Sequence, residues 1–156
     1  MVNTKEECER FVSACRYAPR GNRSFGPVRA RIYGGDDYFL HANDTLLNFA
    51  MIETSEAVDN LDKILSVEEL DAVYVGPSDL AVTMGYVPFT YEKEVEDCIK
   101  HIVETCKKYN IKAGIHCPDG KTVKERFDIG YDLGTISADA ALLTQASKRE
   151  IADAKK

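Results

Sequence analysis

The feature that most constrains the fold is an alternation of short apolar runs with amphipathic stretches. Four runs of strand length occur at 47–54, 70–77, 111–117 and 133–139. Helical apolar spacing lies between these runs, before the first and after the last. Continuous apolar runs of this length are typical of parallel strands buried on both faces, and their alternation with helices indicates βαβ units. We therefore predict an α/β fold with about four parallel strands alternating with helices.

The predicted helices surround these strands. Thr4 is the predicted N-cap of a first helix that runs through Cys15, and residues 17–27 form a loop with glycine, proline and arginine. The other predicted helices cover residues 36–46, 55–66, 90–109, 121–130 and 141–155.

Composition excludes several classes of protein. The chain has 156 residues, enough for one domain with a real core, and a formal charge of −6 without a Lys/Arg block. We therefore expect neither a nucleic-acid partner nor a membrane partner. No apolar stretch approaches the length of a transmembrane helix, and the start is too polar for a signal peptide. Five scattered cysteines favour reduced thiols in a cytoplasmic protein.

Two carboxylates follow consecutive predicted strands. Glu53 ends the first run and Asp79 follows the second. Neighbouring parallel strands end about 5 Å apart, where two carboxylates would repel each other. A hard divalent cation, Mg²⁺ or Mn²⁺, would relieve that repulsion. Alternatively, each carboxylate favours the N-terminus of the helix that follows it. Position alone favours the metal site and the helix N-terminus equally.

The stretch Gly76-Pro77-Ser78-Asp79 favours the metal site. Glycine allows close approach of the backbone to a ligand, and the N–H groups of Ser78 and Asp79 would face a small anion at a helix start. A 2-keto acid fits a metal beside such N–H groups. Its keto oxygen and one carboxylate oxygen chelate the metal, and its carboxylate accepts the N–H bonds. The alternative is an ordinary turn between a strand and a helix.

The segments "MIET" and "VYVGPSDLAVTMGY" resemble the two signature stretches of the HpcH/HpaI aldolase/citrate lyase family, the metal-dependent class II pyruvate aldolases. Residues 2–30, "KAGIHC" and "GTISADAALL" extend the resemblance over essentially the whole chain. The resemblance implies part of a (β/α)₈ barrel, with Glu53 and Asp79 as metal ligands. It also implies that the backbone of Gly76, Ser78 and Asp79 holds the carboxylate of pyruvate. The implied reaction makes or breaks a C–C bond between pyruvate, as the enolate component, and an aldehyde.

The same resemblance predicts which part of the barrel is present. The chain aligns from the end of the family's fourth strand, so residues 1–156 are expected to form one partial domain, the C-terminal half of a TIM barrel without strands one to three. The family's catalytic histidine and arginine belong to those strands. His41, His101 and His116 fall elsewhere, so we assign no catalytic residue within this chain.

Half a barrel exposes two strand edges and the lining of the barrel interior. We therefore expect a homo-oligomer, or association with the missing segments. A second functional hypothesis follows: a catalytically inactive remnant or fragment that acts as a structural, oligomerisation or metal-binding subunit. A nucleotide-binding flavodoxin-like domain is disfavoured because the chain contains neither a GxGxxG nor a P-loop pattern.

Other polar residues have both a functional and a simpler interpretation. His116 ends a strand near the proposed site and either contacts substrate or simply begins a loop, which we favour. Asp139 ends the last predicted strand and is a third ligand candidate, although a helix cap or a polar tether is the simpler role. Arg20 and Arg23 belong to a loop near the carboxyl end of the sheet, where they contact an acidic substrate or another subunit, or stay in solvent.

Cys98, His101 and Cys106 share helical spacing and raise the question of a soft-metal site. Zinc sites usually have four ligands with tightly spaced cysteine pairs, and the chain has no CxxC. We therefore assign these residues to the core and surface of a helix.

Overall fold

Four parallel strands form one sheet in the computed structural model, which describes residues 1–26, 28–88, 90 and 92–156. Their spatial order follows the chain, β1-β2-β3-β4. The strands are β1 (Phe49–Ile52), β2 (Ala72–Val75), β3 (Lys112–Cys117) and β4 (Leu133–Ile136). The prediction of an α/β fold with four parallel strands is confirmed, although each strand is shorter than its apolar run, β3 by a single residue.

Helices connect and flank the strands. They are α1 (Lys5–Cys15), α2 (Val28–Gly34), α3 (Tyr38–Thr45), α4 (Ser55–Asp59), α5 (Leu61–Leu65), α6 (Pro77–Thr83), α7 (Lys93–Tyr109), α8 (Gly120–Ile129) and α9 (Asp139–Ala154). The predicted helix at 55–66 is two short helices that meet at Asn60. The sequence analysis did not predict α2. The predicted loop at 17–27 ends at residue 27, and the predicted helix at 90–109 includes residue 91. Both of these residues lie outside the described ranges.

Side-chain caps explain where several helices begin. The hydroxyl of Thr4 accepts a hydrogen bond from the backbone N–H of Glu7 at 3.2 Å, which confirms the predicted N-cap of α1. Asp119 caps α8 in the same way through the N–H of Thr122 at 2.8 Å. Gly130 ends α8 at φ +109°, a left-handed conformation that favours glycine. These contacts fix α8 between the last two strands.

The two faces of the sheet differ in character. One face packs against helices and holds fully buried apolar side chains, Ala50, Ile52, Val73, Val75, Ala113 and Ile115. The opposite face carries Met51, Tyr74, His116 and Thr135, all partly exposed. In a closed (β/α)₈ barrel, strand residues alternate between the helix layer and the interior. The second face therefore corresponds to a barrel interior.

Buried Arg16 links helices α1 and α3 to the amino end of the sheet. The Arg16 side chain is 3% exposed. Its guanidinium donates to the carboxylates of Glu69 and Asp71 at 3.0 Å each and to the carbonyl oxygens of Asn43 and Leu46 at 2.8 Å each. This contact set ties the end of α1 and the end of α3 to the segment that leads into β2.

The first residues of the chain lie beside β1. The N–H of Val2 donates to the carbonyl of Met51 at 3.0 Å, and the Thr54 hydroxyl hydrogen-bonds Asn3 Oδ1 at 2.6 Å. The C-terminal helix α9 buries none of its residues. Within the described ranges, none of the helices combines the length and the apolar character that crossing a membrane requires.

Candidate metal centre

Glu53 and Asp79 lie together at the carboxyl edge of the sheet. Glu53 directly follows β1 and its side chain is 13% exposed. Asp79 lies in the first turn of α6, which begins directly after β2. Because β1 and β2 are neighbours, the structure brings the two carboxylates to one end of the sheet, as the sequence predicts.

Gly76 provides the space that Glu53 occupies. A β-carbon at position 76 would lie only 2.5 Å from Glu53 Oε2 and 3.1 Å from Glu53 Cβ. Any side chain here would push the carboxylate away. The glycine of the Gly-Pro pair is therefore needed for close approach of Glu53 to the end of β2.

The electrostatics of Glu53 favour a bound cation. Burial raises the pKa of Glu53 above its usual value, and the negative charge of Asp79 raises it further. The ammonium group of Met1, 3.9 Å from Glu53 Oε1, lowers the pKa of Glu53 in part. Two ionised carboxylates in this position gain from a positive charge placed between them.

The start of α6 adds hydrogen-bond donors beside the carboxylates. Gly76 is the N-cap and provides no capping side chain, and Pro77 occupies the first helical position. The N–H groups of Ser78 and Asp79 belong to the first turn, where a helix contains no acceptor for them. They are available to an anionic group held at the carboxylate pair.

The other predicted ligand, Asp139, is the first residue of α9, whose N-cap is Ala138. It is exposed, and its Oδ1 accepts a hydrogen bond from the N–H of Ala140 at 2.7 Å. Across the described ranges, no group of three or more His, Cys, Asp and Glu side chains is arranged to hold a metal ion. The candidate centre therefore consists of Glu53 and Asp79 with further positions left to water and substrate.

The expected position of Arg20 is wrong. Its guanidinium donates to Glu69 at 2.7 Å and to Asp44 at 2.6 Å. Glu69 precedes β2, so Arg20 lies at the amino edge of the sheet, opposite the candidate centre. Arg23 stacks on the ring of Tyr17, 4.6 Å from the ring centroid, so both loop arginines have partners within the chain.

Cys98, His101 and Cys106 lie on different sides of α7. Cys106 is buried in the core, Cys98 packs partly buried with its sulfur 4.0 Å from that of Met84, and His101 is exposed.

His116 is not the start of a loop. It lies inside β3, half-buried, and its Nδ1 is 3.1 Å from the Thr135 hydroxyl of β4. That hydroxyl also hydrogen-bonds the phenol of Tyr74 in β2. The sequence analysis did not single out Tyr74 and Thr135. Polar side chains at alternate positions of otherwise apolar strands were the available signal.

These features define part of a parallel α/β barrel with two carboxylates, Glu53 and Asp79, at the carboxyl edge of its sheet. The family model of the HpcH/HpaI aldolase/citrate lyase family matches residues 1–144. The chain belongs to this family.

Proteins named as aldolases are similar to this chain in sequence. The chain is 41% identical over 157 residues to a hydroxypyruvate/pyruvate aldolase of Rhizorhabdus wittichii, covering 99% of this chain and 62% of the relative. It is 31% identical to a 5-keto-4-deoxy-D-glucarate aldolase of Escherichia coli, covering 95% of this chain and 59% of the relative. The chain thus spans about three fifths of the length of these relatives.

Solved structures confirm the fold. An HpcH/HpaI aldolase/citrate lyase family protein from Burkholderia cenocepacia superimposes with a TM-score of 0.91 at 26% identity, over 100% of this chain and 63% of that one. The predicted C-terminal half of a TIM barrel is therefore confirmed as the fold of these residues.

Proposed function

We propose that this chain forms the metal- and pyruvate-binding part of a class II aldolase or lyase that makes or breaks a C–C bond next to a 2-keto acid. The proposal combines family membership with one observation, the Glu53 carboxylate that lies over Gly76 and interacts with the negative charge of Asp79. The relatives named above are aldolases, and their names include pyruvate and hydroxypyruvate.

The donor set fits Mg²⁺ or Mn²⁺. Both are hard cations that take one or two protein carboxylates and leave other positions to water and substrate oxygens. Glu53 and Asp79 would hold the ion. When bound, the ion would polarise the keto group of pyruvate, the enolate component of the reaction.

The chain's own residues would then orient the substrate. The backbone of Gly76, Ser78 and Asp79 would hold the pyruvate carboxylate, with the N–H groups of Ser78 and Asp79 as donors. The residue that moves the substrate proton is not assigned to this chain. We also propose that residues 1–156 act as one partial domain of an assembly that includes further copies or further barrel strands.

A calorimetric titration tests this proposal. Purified chain is titrated with Mn²⁺ and then with pyruvate, with helical content checked by circular dichroism. We expect Mn²⁺-dependent pyruvate binding by the natural chain and loss of Mn²⁺ binding in Glu53→Gln and in Asp79→Asn. Asp139→Asn, which alters an acidic residue after another strand, should bind Mn²⁺ as before.

Two outcomes would contradict the proposal. Unchanged Mn²⁺ affinity in both Glu53→Gln and Asp79→Asn would place the metal elsewhere. A folded natural chain that does not bind Mn²⁺ would favour the structural-subunit alternative.

A further inference from the structure

Glu53, Gly76 and His116 form one row across the sheet. The register pairs Ile52 with Val75 and Val75 with Ile115, and it continues to these three residues at the next position. Gly76 contributes no side chain, and the Glu53 side chain lies over it, so no side chain of β2 stands between Glu53 and His116 in this row. Two strand spacings, about 10 Å, separate their backbones.

His116 is held in place from the neighbouring strand. Its Nδ1 is 3.1 Å from the Thr135 hydroxyl, which also hydrogen-bonds the phenol of Tyr74. The Tyr74 ring reaches Thr135 by lying across Gly114, where a β-carbon would come within 3.1 Å of the ring. Three strand residues, Thr135, Tyr74 and Gly114, therefore set the orientation of the His116 imidazole.

One nitrogen of this network remains available. The hydroxyls of Tyr74 and Thr135 bond each other, and Thr135 also bonds Nδ1 of His116. Across the ranges that the structure describes, His116 Nε2 has no hydrogen-bond partner in the protein. A polar network that served packing alone would be most stable with every member satisfied. The residue that carries this nitrogen lies in the same row as Glu53, so a ligand bound beside Glu53 could take the place of water as its hydrogen-bond partner.

The separation suits a second substrate. Pyruvate has three carbons joined by bonds of about 1.5 Å, so a molecule bound at Glu53 and Gly76 leaves room before His116. A hydroxyl group matches Nε2 in either tautomer, because a hydroxyl both donates and accepts hydrogen bonds.

We propose that His116 contacts the aldehyde substrate through Nε2 and favours aldehydes that carry a hydroxyl group, with Thr135 and Tyr74 as positioning residues. This inference rests on the proposed function, since the pyruvate site defines where the aldehyde binds.

The test uses a matched pair of aldehydes. Glycolaldehyde and propionaldehyde differ by a hydroxyl in place of a methyl group. Each is titrated calorimetrically into the full chain with Mg²⁺ and oxalate, a planar mimic of the pyruvate enolate that forms no C–C bond. We expect His116→Leu to lose about tenfold in glycolaldehyde affinity, the effect of one hydrogen bond, and to bind propionaldehyde as the natural chain does.

Further variants distinguish contact from structural damage. His116→Gln, which keeps an N–H donor, should recover part of the glycolaldehyde affinity, and the exposed control His101→Leu should match the natural chain. Thr135→Val should weaken glycolaldehyde binding and change the ring-nitrogen NMR signals of His116. In the natural chain, glycolaldehyde should shift the ring signals of His116 and leave those of His41 and His101 unchanged.

The outcomes separate the two proposals. If His116→Leu binds Mg²⁺ and oxalate and keeps the natural preference for glycolaldehyde, the role of His116 is overturned and the pyruvate site stands. If the folded natural chain shows no Mg²⁺-dependent oxalate binding, both proposals are overturned.

Discussion

The Glu53 carboxylate occupies the space that a side chain at position 76 would need: a β-carbon there would lie 2.5 Å from Glu53 Oε2. The backbone at Gly76 has φ −101°, which any residue adopts, so only the space around it requires glycine. The carboxylate that we assign to the metal therefore depends on the absence of a side chain on the next strand.

Replacing Gly76 with alanine should displace Glu53 without preventing folding. We expect Gly76→Ala to weaken Mn²⁺ binding about tenfold or more, because the new β-carbon would displace the Glu53 carboxylate from its present position. Isothermal calorimetry measures the change. Gly120→Ala is the matched control, since a β-carbon there has its nearest neighbour at 4.0 Å. Unchanged Mn²⁺ affinity in Gly76→Ala would show that Glu53 does not hold the ion in this position.

The stability of the metal-free protein should depend on the charge of Glu53. Burial and the Asp79 charge raise the pKa of Glu53 above 4.5, so the folded protein keeps this proton to a higher pH than the unfolded chain does. Between those two pKa values the folded state binds more protons, and stability increases as pH falls through that window. Above the window, ionised Glu53 destabilises the folded state.

Glu53→Gln should therefore be more stable than the natural chain at pH 7, by up to about 1 kcal/mol. The difference should shrink as pH falls below 4.5, because the neutral form of Glu53 then predominates in both the folded and the unfolded state. Urea unfolding in EDTA measures it, with the exposed Glu104→Gln as control. Saturating Mn²⁺ should reverse the order, because only the natural chain gains the binding free energy. A destabilised Glu53→Gln at pH 7 in EDTA would contradict this account.

The acidic pair was predictable because it depends on local patterns. Strand-length apolar runs that end at Glu53 and just before Asp79, in a parallel α/β arrangement, place both at one edge of the sheet. The N-cap role of Thr4 was predictable for the same reason, since a cap acts within four residues of sequence.

The remaining features depend on contacts between distant segments. The loop with Arg20 was expected at the carboxyl edge of the sheet, but its partner Glu69 is 49 positions away and draws it to the amino edge. His116 and its partner Thr135 come together only through the register of β3 and β4. No local pattern specifies either pairing.

The Arg16 contacts should contribute strongly to stability. Arg16→Ala leaves the carboxylates of Glu69 and Asp71 and two carbonyl oxygens without their buried donor. Loss of one partner from a buried ion pair typically costs about 3–5 kcal/mol. Urea unfolding should show a loss of this size.

The control is Arg31→Ala, which breaks the ion pair between Arg31 and Asp36, whose side chains are 63% and 93% exposed. It should change the free energy of unfolding by less than about 1 kcal/mol. Equal effects of the two substitutions would contradict the importance of burial here.

Thiol labelling should report how firmly α7 packs on the sheet. All five cysteines are free thiols, and burial raises the pKa of Cys106 to about 12 and that of Cys8 to about 11. The thiolate is the reactive form, so both should resist iodoacetamide at pH 8 in the folded protein. Cys15 and Cys98 are both partly buried, and burial raises the pKa of Cys98, so Cys15 should react first. Peptide mapping by mass spectrometry identifies the labelled sites, and labelling in urea provides the reference in which all five react. Early labelling of Cys106 in the native protein would mean that α7 separates from the sheet far more often than this packing implies.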